Sequence, residues 1–293
     1  MQFPGIIPAA ITPFTADDQV DVPALHTNLE ALLGAGIGGL VATGTMGEAG
    51  QLSDAERRTV VEAVVAAAEG TVPVIAGVSA GSTAAACRNA AAARAAGAAA
   101  VMCLPPLNYR GTTREHIAFY TAVAQEGLPI MAYNNPEASG IDLTPAVLAE
   151  IAAAVDGVVA IKECSGDARR IAALVNDTDL EVLVGGDDWA LEGFATGATG
   201  WVSGVANVAP VDCVALQALV EAGRLAEARV VYARLLPLAR LDMTPKLVQH
   251  FKGAMDAIGL RGGPTRPPRL PLDEAEREVL HAAVAALRAP VSA

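Results

Sequence analysis

Short apolar runs alternate along this chain with longer segments in which apolar residues recur at helical spacing. Eight apolar runs, each bounded by glycine or proline, occur at residues 6–11, 39–43, 72–78, 99–104, 129–134, 158–163, 181–185 and 200–204. The intervening segments carry helix signals, such as the capping-box pair Ser53 and Glu56 and the Thr144-Pro145 start. Repeated strand-helix units predict a (β/α)8 barrel, a TIM barrel of the α/β class. An open, doubly wound sheet is the alternative.

The predicted units divide the chain into two parts. Residues 1–210 form the predicted catalytic barrel, and residues 211–293 form a C-terminal helical extension packed on it. Residues 261–268, rich in glycine and proline, interrupt regular structure in this extension, and a helical period resumes at residues 273–287.

Composition narrows the class of function. A net charge of -12 and a pI near 4.8 argue against nucleic acid or an anionic membrane as partner. Neither an apolar run of about 18 residues nor a basic leader is present, so we expect a cytoplasmic enzyme of small molecules. The four cysteines and four histidines are scattered without CxxC, HxH or HExxH spacing, which predicts free thiols, no metal and no cofactor.

Lys162 interrupts the apolar run at residues 158–163. Only three of the 20 basic residues are lysine, so arginine serves almost everywhere as the ordinary cation. Arginine stays protonated, whereas a desolvated lysine can lose its proton and attack a ketone to form a Schiff base. We therefore expect a nucleophilic Lys162 with its pKa lowered toward neutrality. The alternative is a strand-end lysine that reaches solvent or pairs with Glu163.

Other candidate residues follow the predicted strands, because the active site of such a barrel lies at the carboxyl ends of its strands. The small residues of segment 44–48 can bring backbone N–H groups close to a substrate anion. Tyr133 ends the fifth strand with a phenol that could shuttle protons. The glycines after the seventh and eighth strands could leave room for a ligand, although turn chemistry explains each of these features equally well.

Taken together, these motifs resemble the dihydrodipicolinate synthase and N-acetylneuraminate lyase superfamily over about residues 5–210. The resemblance rests on Gly44-Thr45-Met46-Gly47-Glu48, Tyr133-Asn134-x-Pro136, Ile161-Lys162-Glu163 and Gly186-Asp187, in that order. It implies a barrel, commonly a homotetramer built as a dimer of dimers, in which Lys162 forms an imine with a 2-oxo acid such as pyruvate.

The resemblance also implies roles for the other residues. Tyr133 would shuttle protons to and from the carbinolamine and substrate, and Thr45 would form a hydrogen bond with Tyr133 while its loop holds the substrate carboxylate. The substrate would be bound by Thr45, Met46, Gly47, Gly186 and Val202.

The chain departs from that family at three positions. Met46 replaces a second hydroxyl residue, so only a backbone N–H remains there for the substrate carboxylate. Ala138 stands where true synthases carry an arginine, and Leu107 where they carry a tyrosine that crosses the subunit interface. Residues nearby that could compensate are Tyr109, Arg110 and Arg114.

These departures predict a Schiff-base lyase, an aldolase, dehydratase or deaminase, that is not a true dihydrodipicolinate synthase. The Met46 variant resembles deaminases of hydroxylated pyrroline carboxylates, and sugar-acid and 4-hydroxy-2-oxoglutarate aldolases are alternatives. The other readings are 4-hydroxy-tetrahydrodipicolinate synthase proper, a metal-dependent aldolase, and a barrel that senses a 2-oxo acid without turnover.

Overall fold

A computed structural model of the chain describes residues 2–3 and 5–288. Its eight strands are β1 Gly5–Pro8, β2 Leu40–Ala42, β3 Val74–Gly77, β4 Ala100–Cys103, β5 Ile130–Asn134, β6 Val158–Glu163, β7 Glu181–Val184 and β8 Gly200–Ser203. All neighbouring strands pair in parallel, in the order β1-β8-β7-β6-β5-β4-β3-β2. Each coincides with one of the eight predicted runs, so the barrel prediction is confirmed.

The two end strands of this sheet meet. The Ala10 N–H donates to the Val41 carbonyl at 2.9 Å, and the Gly38 N–H donates to the Ile6 carbonyl at 2.8 Å. These bonds bring β1 beside β2 and almost close the sheet into a barrel, which excludes the open doubly wound alternative.

Helices surround the barrel. The first nine are α1 Val22–Leu33, α2 Asp54–Ala68, α3 Thr83–Ala95, α4 Thr113–Ala124, α5 Pro136–Ser139, α6 Pro145–Ala154, α7 Arg169–Asp177, α8 Ala190–Ala195 and α9 Pro210–Glu221. The capping box of Ser53 and Glu56 starts α2, and the Thr144 side chain with Pro145 starts α6, both as predicted. Local sequence therefore determines where these helices begin.

Three further helices complete the described chain, α10 Leu225–Ala239, α11 Leu247–Ala257 and α12 Glu274–Ala286. A short 3-10 turn, Arg240–Met243, joins α10 to α11 and packs near the end of β7. Helix α9 follows β8 and packs against β1, which is the place of an eighth barrel helix. The division of the chain at residue 210 stays a prediction.

A close approach between β2 and β3 positions the segment at residues 44–48. A Cβ on Gly77 would lie 2.3 Å from the Thr43 carbonyl oxygen, so only glycine permits this packing. Thr43 itself has a φ of 53°, and its hydroxyl donates to the Gly77 carbonyl at 3.2 Å. The chain consequently turns over the mouth of the barrel as β2 ends.

Candidate active site

A cavity of about 280 Å³ lies at the carboxyl ends of the strands. Five of the predicted site residues line it: Thr45, Met46, Tyr133, Lys162 and Val202. The structure brings these residues together from four different strands and their following loops.

The two predicted glycines of the site lie elsewhere. Neither Gly47 nor Gly186 is part of the described lining, and Gly185 lies there instead. A Cβ on Gly186 would meet the Trp189 indole at 2.2 Å, so this glycine makes room for a tryptophan. A Cβ on Gly185 would lie 3.0 Å from Lys162 Cε, so this glycine leaves space for the lysine.

Lys162 and Tyr133 are paired residues on adjacent strands. They are opposite each other in the register of β5 and β6, and the Lys162 Nζ lies 4.2 Å from the centroid of the Tyr133 ring. Lys162 is 7% exposed and Tyr133 is 4% exposed. Strand pairing therefore fixes a cation and a phenol side by side at the floor of the cavity.

The Tyr133 hydroxyl accepts a hydrogen bond from Asn135 Nδ2 at 2.9 Å. Thr45 is exposed on its loop, and among the described residues no hydrogen bond joins it to Tyr133. The structure thus differs from the expected pairing, and Asn135 hydrogen-bonds the phenol oxygen instead. Burial raises the pKa of Tyr133 although Lys162 lowers it, so the phenol holds its proton at neutral pH.

The pKa of Lys162 is raised, contrary to the lowering expected from the sequence. Burial has the largest effect and lowers the pKa, but Tyr133, Cys164 and Asp242 together raise it more. Burial raises the pKa of Cys164 to about 12, so this thiol, like the phenol, is neutral near pH 7. Asp242 is then the anion among these three that favours the ammonium form. Lys162 must lose a proton before it can attack a carbonyl carbon.

Segment 44–48 contributes to the wall of the same cavity. Gly44, Thr45 and Met46 line it, and within the described residues no protein acceptor receives the N–H of Thr45 or Met46. Unpaired N–H groups on successive residues attract an anion. The segment ends at Glu48, which has a φ of 54° and a fully buried side chain.

Asp187 organises the loop after β8. Its carboxylate accepts from the Trp201 indole at 2.9 Å and from the Val205 and Gly204 N–H groups at 2.7 and 3.3 Å. Burial and the nearby Asp242 carboxylate raise the pKa of Asp187. This role explains the Gly186-Asp187 match as a structural support for Val202 and Gly204 at the cavity.

Two carboxylates on the lining were not identified from the sequence. Glu137 lies on α5, and Asp242 lies on the 3-10 turn before α11, about a hundred residues away in the chain. Burial raises the pKa of Asp242 to about 6, and the charge of Glu137 contributes to that rise, whereas Lys162 lowers it. Of these two carboxylates, only Glu137 could have been found from the sequence, because it lies beside the Tyr-Asn-x-Pro motif.

The candidate replacements for the missing family residues lie apart from the cavity. Arg110 and Arg114 are exposed and absent from its described lining, and Tyr109 is 51% exposed with its hydroxyl donating to Glu115 at 2.8 Å. Ala138 does line the cavity, whereas Leu107 lines a neighbouring one together with Thr45 and Tyr133.

Residues 2–3 and 5–288 contain no group of three or more histidine, cysteine, aspartate and glutamate side chains placed to hold a metal ion. In the same ranges, every helix is too short or too polar to cross a bilayer.

Comparison with known families agrees with this architecture. Residues 2–287 match the model of the Dihydrodipicolinate synthetase family. The chain belongs to this family. Two family relatives named 4-hydroxy-tetrahydrodipicolinate synthase are 36% identical, from Methanoculleus marisnigri, and 38% identical, from Methanothrix thermoacetophila. The first alignment covers 95% of this chain and 97% of the relative, and the second covers 93% and 92%.

Solved structures of the family superpose closely. The 4-hydroxy-tetrahydrodipicolinate synthase of Methylacidiphilum fumariolicum SolV has a TM-score of 0.94 at 29% identity, covering 98% of this chain and 96% of that one. A prophage protein of the dihydrodipicolinic acid synthase family from E. coli K12, solved in complex with pyruvate, has a TM-score of 0.93 at 28% identity, covering 98% and 99%. The predicted superfamily is thus confirmed.

Proposed function

We propose that this protein is a Schiff-base lyase that acts on a pyruvate-type 2-oxo acid, with Lys162 as the nucleophile. The observation that carries the proposal is a buried lysine paired with a tyrosine at the floor of the cavity, in a chain of this family. The neutral Lys162 amine attacks the C2 carbonyl carbon and gives a carbinolamine. Loss of water then forms the imine, which withdraws electrons from the carbon-carbon bond that breaks or forms next.

Tyr133 moves the protons in this scheme. Its raised pKa keeps the phenol protonated, so it can donate a proton to the departing hydroxyl of the carbinolamine. The resulting phenolate then accepts a proton from the next intermediate. Asn135, which donates to the Tyr133 oxygen, orients the phenol and stabilises the phenolate.

The substrate carboxylate binds to segment 44–48. The unpaired N–H groups of Thr45 and Met46 supply donors for it, and the Thr45 hydroxyl can add another. Met46 is buried and presents a thioether where the family usually has a hydroxyl, so the backbone does most of the binding at that residue. Val202 forms the apolar wall opposite.

Aldol cleavage, dehydration and deamination all begin with this imine. A second candidate, 4-hydroxy-tetrahydrodipicolinate synthase proper, is supported by the names of the relatives. We favour the first group because Ala138 contributes no charged donor to the cavity wall and Arg110 and Arg114 are outside it. A barrel that only senses a 2-oxo acid would bind the ligand without turnover.

Reductive trapping tests the proposal. Incubation with pyruvate and borohydride should leave one irreversible adduct, which peptide mapping should place on Lys162, because reduction fixes only an imine carbon. Lys162→Arg should give no adduct and no turnover, since it keeps the charge and loses the nucleophile. The matched control is Lys246→Arg, because Lys246 lies at the surface just before the start of α11. Absence of a Lys162 adduct with every 2-oxo acid tried would refute the mechanism.

The family resemblance further supports assembly as a cytoplasmic homotetramer. Light scattering on the purified protein should give four times the chain mass of 29.7 kDa. A mass of one or two chains would contradict the dimer-of-dimers prediction.

A further inference from the structure

The outer half of the cavity indicates which chemical group the substrate carries at its distal end, the end away from Lys162. Building on the proposed function, we propose that Glu137 and Asp242 bind hydrogen-bond donors at that end. The preferred substrate then carries a hydroxyl or ammonium group there in place of a second carboxylate.

The burial of the lining gives the direction in which a bound substrate extends. Lys162, Tyr133, Val202 and Gly204 are buried and form the floor. The exposed members are Thr45 after β2, Glu137 and Ala138 on α5, and Met243 and Pro245 before α11. Because Thr45 belongs to the segment assigned to the C1 carboxylate, the rest of a 2-oxo acid bonded to Lys162 through C2 extends outward between the other two segments.

The outer part of this path carries only negative charge. The charged side chains of the described lining are Lys162, Glu137 and Asp242, and no arginine or histidine is among them. When the imine forms, the positive charge of Lys162 lies against the substrate's own carboxylate at C1. The outer half then holds two acidic side chains without a cation, so a second carboxylate meets like charge.

Asp188 reinforces this negative field, because its charge acts on Asp242 in the same direction as that of Glu137. Arg269, which lines the adjoining cavity, is already bound, with its guanidinium donating to Gln51 Oε1 at 2.6 Å and to Glu48 Oε2 at 3.4 Å.

Carboxylate oxygens only accept hydrogen bonds when ionised, so their natural ligands are O–H and N–H groups. A site built to accept from such donors rejects an analogue that lacks them, because its polar groups are then left unpaired. Glu137 and Asp242 thus select both for a donor and against an anion.

Competition between two 2-oxo acids of equal length tests this selection. One is 5-hydroxy-2-oxopentanoate, with a distal hydroxyl, and the other is 2-oxoglutarate, with a distal carboxylate. Neither has a hydroxyl at C4, so retro-aldol cleavage does not consume them. An equimolar mixture is trapped on the enzyme with borohydride, and intact mass spectrometry gives the ratio of the two adducts. We expect the hydroxyl adduct to dominate by about tenfold or more.

The double variant Glu137→Gln/Asp242→Asn should lower that ratio toward one, because the amides remove the repulsion. Glu150→Gln, which removes an exposed carboxylate of α6 outside the cavity, is the matched control and should keep the wild-type ratio. The ratio is internal to one sample, so a change in the reactivity of Lys162 cancels.

Equal adducts, a preference for 2-oxoglutarate in the wild type, or a ratio unchanged by the double variant would overturn the inference while a pyruvate adduct still supported the Schiff-base function. Absence of every adduct, including that of pyruvate, would overturn the proposed function and this inference with it.

Discussion

The Lys252 ammonium lies 2.6 Å from the Glu48 carboxylate, and the two side chains are 2% and 0% exposed. Lys252 is on α11, and Glu48 ends the segment that we assign to the substrate carboxylate. Lys252 also donates to the Pro264 carbonyl at 2.7 Å and lies 4.4 Å from the centre of the Phe14 ring. The C-terminal helices therefore hold the segment at residues 44–48 in place through a buried ion pair.

Removal of this lysine should be costly. Lys252→Met leaves the buried Glu48 charge with only the more distant Arg269 guanidinium at 3.4 Å, so we expect a loss of about 3 to 5 kcal/mol in the free energy of unfolding. Urea denaturation measures this loss. Lys246→Met breaks the partly exposed pair between Lys246, just before α11, and Glu276 of α12, and should cost about 1 kcal/mol or less. Equal losses in the two variants would mean that Lys252 is not a structural anchor.

Tyr133→Phe should keep the fold and part of the pyruvate adduct while lowering turnover about 100-fold or more, because the phenolic proton is lost. Thr45→Val should also lower turnover if its hydroxyl joins the relay once substrate is bound. Tyr120→Phe, which deletes a buried hydroxyl that donates to the Cys103 carbonyl at 3.0 Å, controls for packing effects. Steady-state kinetics beside circular dichroism compares the three, and near-normal turnover in Tyr133→Phe would reduce that residue to a packing role.

The stability of the protein should depend on pH through Asp242. Burial raises its pKa from 3.8 to about 6 in the fold, although Lys162 opposes the rise. A carboxyl whose pKa is raised in the folded state favours the neutral form there. The stability that Asp242 contributes is therefore fully present below its pKa in the unfolded chain and is lost as pH rises through about 6.

The stability of Asp242→Asn relative to the wild type should accordingly increase as pH rises. Between about pH 4.5 and 7.5 we expect the variant's unfolding free energy to improve by about 1 to 3 kcal/mol relative to the wild type. Denaturation curves at both pH values measure this change. As a control, Asp156→Asn replaces an exposed carboxyl, and its stability relative to the wild type should be the same at both pH values. If the relative stability of Asp242→Asn were also independent of pH, the Asp242 carboxyl would not be under strain.

Synthesis of dihydrodipicolinate should be slow. Aspartate semialdehyde brings a second carboxylate, and Ala138 provides no guanidinium to hold it in attack geometry. The missing charge-assisted pair costs about 2 to 5 kcal/mol, or roughly 30-fold to several thousand-fold in efficiency. An assay coupled to the downstream reductase measures the rate, and Ala138→Arg should raise it. Wild-type efficiency in the range of a biosynthetic enzyme would show that another group replaces the arginine.

The eight strands, the barrel and the positions of Tyr133 and Lys162 near the ends of the fifth and sixth strands could all be predicted from the sequence. Each depends on local apolar runs and on the rule that parallel strands end on one face. The direction of the Lys162 pKa could not be predicted in this way. It depends on the balance between burial, which lowers the pKa, and Tyr133, Cys164 and Asp242, which raise it. No local pattern indicates that Asp242, on a turn beyond the last strand, acts on the lysine.

The Glu48–Lys252 pair was missed for the same reason. The two residues are about 200 positions apart, and a buried glutamate in a glycine-rich turn has the same sequence signature as an exposed one. Only Lys162 was identified from the scarcity of lysine, although Lys252 is just as rare and more deeply buried. Both lysines belong to a scarce residue type, but only Lys162 interrupts an apolar run predicted to be a strand, so only Lys162 was identified.

The ion pair between α11 and Glu48 also orders events during synthesis. All eight strands have left the ribosome well before Lys252 and Asp242 are available, so a barrel that closes early contains Glu48 without its counter-charge and lacks one wall of its cavity. Domains generally fold as units during translation, from the N-terminus onward. The nascent chain therefore reaches its full stability, and its ability to discriminate among substrates, only after α11 docks.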